Sequence, residues 1–348
     1  MRQGFKKILL FIFAVTLFTG NICAQQENTR YLLPRTAIDI YVTIEKTVYK
    51  PGDFCEYTER FFKTKKANSS KKTEYAITGI RFNAVGVPDT TKMFSVNADA
   101  KNNINKVELS DYGVLLSIND EPVAEKEFAA FTPHAARILP DPHDYMTQDI
   151  LATGNKMKMA ELVAEEIYDI RDSRNQITRG QADYMPKDGE QLKLMLKKMD
   201  LQEEALLSMF EGTTVKDTTE VVFRCIPEGD IKNHLVFRFS KHYGITDADD
   251  LSGEPYYLCV NDLHTVPAKE VDEKTAKRTV IYANLPGKIE ISLSNRNKEL
   301  AKFELYAAQY GILNPLTNEL FNKKVITSIV LNPTTGSLES INTKQSDM

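Results

Sequence analysis

Tryptophan is absent from the 348 residues, and so are the short sequences that mark common enzyme classes: no GxSxG, GxGxxG, P-loop or HExxH occurs. Each absence removes one frequent route to catalysis, and none of them points to a cofactor. The missing Trp also weakens the reading of a carbohydrate platform, although 15 Tyr and 17 Phe leave aromatic stacking open. Cysteine is scarce: four in all, none in a CxxC pair, and no Cys/His spacing resembles a zinc site. Positive charge is short as well. With 44 Lys+Arg against 48 Asp+Glu the chain carries a formal charge of −4, the wrong sign for general nucleic-acid binding.

What is present first is an address. Arg2, Lys6 and Lys7 precede the apolar run Ile8–Phe18, and Asn21, Ile22, Cys23 and Ala24 follow. This is the layout of a secretory signal peptide over residues 1–24, with Ala24 the expected last residue removed. The apolar run is about half of the roughly 20 residues that a bilayer-spanning helix needs, and no later segment approaches that length, so the mature chain is expected to have no transmembrane helix. Ile22 stands where a lipoprotein signal places a small residue, which favours ordinary cleavage over lipidation of Cys23. The reading is a periplasmic or outer-membrane-associated protein with a mature charge of about −7. In that oxidising setting Cys225 and Cys259, both in strand-like runs, are a candidate disulfide worth roughly 3–4 kcal/mol in the chain-entropy model. Cys55 would then stay free.

The remaining pattern is mostly β, interrupted once. AIDIYVTIE (Ala37–Glu45) alternates cleanly, with Ile38, Ile40, Val42 and Ile44 on one face. Residues 25–35 read as a short leader before it. YKPGDF stops the strand, and Asp53 with Glu56 suggests a capping box for a short helix through Phe62 that would plug one end of the β domain. KTKKANSSKK reads as a solvated loop, TEYAITGIRF as a strand with a bulge at Gly79, and Phe94–Asn97, Lys106–Ser110 and Val114–Asn119 as short strands. A Pro-rich connection from Phe131 to Asp144 leads to two helices, 155–176 and 188–211, whose apolar residues recur at helical spacing. Gly212 marks a stop. From Val215 the period of two returns through about seven strands, and NPTTG announces a last turn before a closing strand.

The expected fold is therefore α+β and mostly β: two antiparallel β-sandwich-like domains with a two-helix hairpin between them. The divisions fall at 25–132, 133–213 and 214–348. Few polar clusters stand out. His134 and His143, with Asp141 or Asp144, would make a weak metal site in the Pro-rich connection, and TDADDLSGE departs from a calcium loop at Leu251. The most unusual stretch joins the helices: Arg171, Asp172, Arg174, Arg179, Asp183 and Tyr184 either form an internal ion-pair network or bind a carboxylate or phosphate.

YKPGDFCEY, YDIRDSRNQITRGQADYMP, EALLSMFEGTT and NPTTGSLES, in that order, resemble a family of exported Bacteroidetes proteins described only as a domain of unknown function, DUF4831-like. The resemblance spans nearly the whole mature chain and implies a Gram-negative periplasmic or outer-membrane setting. It assigns no catalytic or binding residue. Together these features predict a non-catalytic binding or assembly module whose partners are envelope proteins or glycans. The alternative is an envelope- or glycan-directed hydrolase with a carboxylate- or Arg-lined cleft.

Overall fold

In the computed structural model, residues 29–345 are described apart from 66, 97–102, 125–127, 134–135, 183–187, 268–272, 297 and 323. The predicted signal peptide, with Cys23 and Ala24, lies outside these residues, as do His134, Asp183 and Tyr184. AIDIYVTIE is the middle of a longer strand, β1 (Arg30–Lys50), and Ile38, Ile40, Val42 and Ile44 are buried as their alternation requires. The strand also takes in most of the supposed leader, because Tyr31 and Leu33 are buried in a core of their own.

Three antiparallel sheets make up the β structure. In the first, β1 lies between β2 (Lys72–Ser95) and β5 (Thr213–Cys225). The second runs in the order β10-β9-β8-β6-β7, formed by Lys298–Thr317, Thr279–Asn295, Glu254–Asp262, Ile231–Ser240 and Gly244–Thr246. The third joins β12 (Leu338–Gln345) and β11 (Val325–Leu331) to β4 (Leu115–Ile118) and β3 (Val107–Leu109). The bulge expected near Gly79 is present: Thr43 pairs with Gly79 and Ile44 with Ile77, leaving Thr78 as the extra residue.

Two apolar cores result, and the long strands serve both. One core lies between the first two sheets, where Ile38, Ile40 and Val42 meet Leu258, Val260, Ile289 and Ile291. The other gathers Tyr31 and Leu33 of β1, Val280 and Ile281 of β9, and Leu115, Ile118, Ile329 and Leu331 of the third sheet. The expected divisions at 132 and 214 therefore do not separate the sheets. The first and third sheets each combine strands from both sides, since an edge of β1 left unpaired would expose its main-chain donors and acceptors. Among the described residues eight strands follow residue 212, and TVIYA and KIEISL share one of them, β9.

Where the two cores meet, the chain forms a polar waist. The β1–β5 pairing ends at Ile38–Cys225. Two residues further, the Gln309 side chain takes the place of a strand: its Oε1 accepts from Thr36 N–H (2.9 Å), and its Nε2 donates to Thr36 O (2.9 Å) and Pro227 O (3.0 Å). The NPTTG turn closes over the same point. Asn332 Oδ1 accepts from the N–H groups of Thr334 and Thr335, and Thr36 Oγ1 donates to Thr334 O. Buried Asn284 donates to Pro34 O and Thr335 O. Gly86 of β2 permits this closure, since a Cβ there would lie 2.0 Å from Pro333 O.

The helical layer sits at the other end of β1. Helix α1 (Thr58–Phe62) is followed by α2 (Gln148–Leu151), then by α3 (Lys156–Thr178) and α4 (Gly189–Glu211), which form the antiparallel pair. Asn155 and Asp188 cap their N-termini. The last four carbonyls of a helix have no partner within it, and here each finds one. Ser208 O accepts from Gly212 N–H, Met209 O from Phe54 N–H, Phe210 O from Thr58 Oγ1–H, and Glu211 O from Tyr49 Oη–H. The expected capping box does not form, because Phe54 is the cap residue and makes no side-chain cap bond, while Glu56 pairs with Lys156. Phe54 and α1 accordingly pack on the helix pair, with Phe54, Phe61 and Phe62 against Phe210, instead of plugging the β core.

Gln309→Ala would strand the Thr36 N–H and C=O. Each buried unsatisfied group costs roughly 1–3 kcal/mol. We expect a loss of about 2–4 kcal/mol, read as a lower urea midpoint with an unchanged slope.

Candidate functional site

The waist opens on one side into a cleft of about 670 Å³, lined by Glu228, Gly229, Asp230, Asp262, His264, Val266, Pro267 and Gln309–Ile312. Three connections build it: the turn between β5 and β6, the segment after β8, and a wide bulge in β10. At that bulge Ala307 pairs with Gly287 and Ile312 with Leu285, so four residues of β10 face Pro286 alone. Gly311 lets the strands approach this closely, as a Cβ there would fall 1.8 Å from Leu285 O. The bulge turns Gln309 toward β1 and sets Tyr310 at the cleft, where its hydroxyl donates to Gly229 O at 2.5 Å.

The carboxylates in the cleft differ in their engagement. Asp230 Oδ1 accepts from Asp262 N–H at 2.8 Å and pins the end of β8. Asp262 accepts from His264 N–H (2.8 Å) and lies 3.1 Å from His264 Nδ1, which holds His264 in the left-handed region at φ 49°. Glu228 reaches Arg35 at 3.4 Å but is 84% exposed, so it is available to a ligand. Burial, with Asp230 and Asp262 nearby, pushes the Tyr310 hydroxyl up to about 12. The arrangement presents acceptors and negative charge beside an aromatic ring, a surface suited to amines and hydroxyl donors.

The helix cluster is arranged differently. Arg171, Asp172 and Arg174 lie within α3 and not in the connection after it. Arg171 Nε and Arg174 Nη1 each approach Glu203 of α4 at 2.6 Å, and Arg174 also meets Asp200 at 2.8 Å. Glu203 is nearly buried, and the network ties the helices to each other and not to the sheets. Asp172 accepts from Gln176 of its own helix, and Arg179 is the C-terminal cap residue.

Residues 27–339 match the family described as Domain of unknown function (DUF4831). The chain belongs to the DUF4831 family. Neither the curated proteins nor the solved structures give a match to it.

In this DUF4831 chain the two cysteines considered for a bridge are free thiols on different sides of the sandwich. Cys225 packs toward the core between the sheets. Cys259 alternates with buried Leu258 and Val260, and its Sγ lies 3.4 Å from Asn233 Oδ1 on the outer side. Among the described residues no group of three or more His, Cys, Asp or Glu is placed to hold a metal; His143 pairs with Asp141 at a helix start, and TDADDLSGE folds as a turn in which Asp250 accepts from Ser252 N–H. No helix among them is long and apolar enough to cross a membrane. The alternation alone does not mark the cleft: Pro286-Gly287 and Gly311 fall between strand-like runs, where they read as breaks, and only within the continuous β9 and β10 do they become a bulge.

Arg171→Ala in this DUF4831 protein should cost about 1–2 kcal/mol, since Arg174 still pairs with Glu203, whereas losing both arginines should cost more than the sum because Glu203 is left uncompensated. Thermal unfolding of the two single variants and the double variant measures that coupling. At high pH the raised Tyr310 value has a definite sign: its contribution is complete below about 10 and is lost as pH rises toward about 12, because the unfolded chain ionises first. Tyr310→Phe should flatten part of the fall in stability across that interval.

Proposed function

We propose that this protein is exported to a Gram-negative cell envelope and works there as a non-catalytic binding module, with the waist cleft as its site. The carrying observation is the convergence of Glu228, Asp230, Asp262, His264 and Tyr310 on one open cleft built from three separate connections. Export is supported by the charged start, the apolar run Ile8–Phe18 and the small residues around Ala24. The ligand class that fits is an amine-bearing, hydroxyl-rich envelope glycan: the carboxylates attract the amine, His264 offers a polar contact, and Tyr310 offers a ring edge or face.

The engagement of the acids supports binding over hydrolysis. Asp230 and Asp262 hold neighbouring backbone amides, so protonating either during a reaction would weaken the wall that it builds. Only Glu228 stands free enough to change partners at little cost.

Calorimetric titration of the purified protein with amino-sugar oligosaccharides from envelope material tests the reading. Binding should weaken at least tenfold in Glu228→Ala and His264→Ala, whose side chains are 84% and 82% exposed and whose loss should leave folding intact. Equal binding in both variants would remove the cleft from consideration. Release of new reducing ends would replace the binding module with the hydrolase.

A further inference from the structure

The helix pair carries two exposed stripes of opposite sign, each only partly balanced by its neighbours, Lys158 beside Glu165 on α3 and Glu190 before Lys193 on α4. On α3, Glu165, Asp169 and Asp172 are exposed and recur on the outer face, opposite the buried Ala160, Val163 and Ile167. Like charges four apart on one face destabilise a helix, and burial, with Asp169 beside it, pushes the neighbouring Glu166 carboxyl up. On α4, Lys193, Lys197 and Lys198 are exposed and have no carboxylate partner among the described residues.

The two stripes are centred at different levels of the helix pair. Arg174 pairs with Asp200, which places the lysines on the tip side of that ion pair and the acids on the base side. At a rise of 1.5 Å per residue the centres of the stripes are offset by roughly 14 Å along the pair. The α4 segment beside the lysines is also short of apolar cover. Leu194 is 56% exposed, and Leu192, Met195 and Leu196 stay outside the helical core that Leu206, Met209 and Phe210 share with α3.

We propose that this face docks a second copy of the chain, with the basic tip of each helix pair laid on the acidic shaft of the other across a two-fold axis. A two-fold makes the same contact twice, so one pair of complementary stripes neutralises both copies. Leu194 and its apolar neighbours would be covered in the same step, and screening by salt should weaken the dimer.

Sedimentation of the purified protein measures the association, and reversed charges test its geometry. Lys193→Glu, Lys197→Glu and Lys198→Glu combined should raise the dimer dissociation constant at least tenfold. Glu165→Lys, Asp169→Lys and Asp172→Lys combined should do the same. Mixing the two reversed proteins should restore a one-to-one dimer, since both contacts are then again between opposite charges; circular dichroism checks that each variant is folded. A wild-type protein that is monomeric at every concentration, a reversed variant that dimerises like wild type, or a mixture that stays monomeric would each overturn the proposal.

Discussion

One side-chain amide holds the two halves of the β structure in register. Gln309 satisfies both main-chain groups of Thr36 at the point where β5 stops pairing, so β1, still paired with β2 along its other edge, passes from one core into the other without leaving those groups unpaired. Beyond that point Tyr31 and Leu33 of the same strand lie in the second core. The bulge that positions Gln309 also creates the cleft. Stability and the candidate site therefore share a single distortion of β10, which explains why polar groups are tolerated in the middle of a buried β assembly.

The helical layer depends on a different kind of complementarity. Its attachment is made by the last three main-chain acceptors of α4, Met209 O, Phe210 O and Glu211 O, each matched to a donor from β1 or from the turn and short helix after it. Apolar packing of Phe54 and Phe62 on Phe210 then fills the space between. Away from that anchor the pair is held by ion pairs to Glu203 and by progressively fewer apolar contacts, so its tip is more polar and more exposed than its base. The gradient leaves charge available at one end while the other is fixed.

Local periodicity made much of this legible. Ile38, Ile40, Val42 and Ile44 declared the inner face of β1, and the caps at Asp188 and Gly212 bracketed α4 within a residue. What could not be read was pairing between distant segments. Nothing near Thr36 announces Gln309, and strand alternation is the same whether β1 joins β4 or β5. The division into successive domains assumed that neighbours in sequence close their own sheets, whereas the burial of β1 on both sides required β5, from beyond the helices. The polar cluster of α3 was recognised by composition, but only the facing Glu203 shows that two of its arginines are already occupied.

The order of these partners along the chain has a further consequence. β1 is made first, yet its neighbours on one edge begin only at Thr213, and the residues that close its waist, Gln309 and the turn at Asn332–Gly336, come almost at the end. A chain emerging N-terminus first must carry β1 without β5 until about two thirds of it has appeared, and the part around Thr36 without its partner until nearly all of it has. Such long-range pairing folds slowly and late. Closure of the waist therefore waits for the last segments of the chain, whatever has already formed around β1.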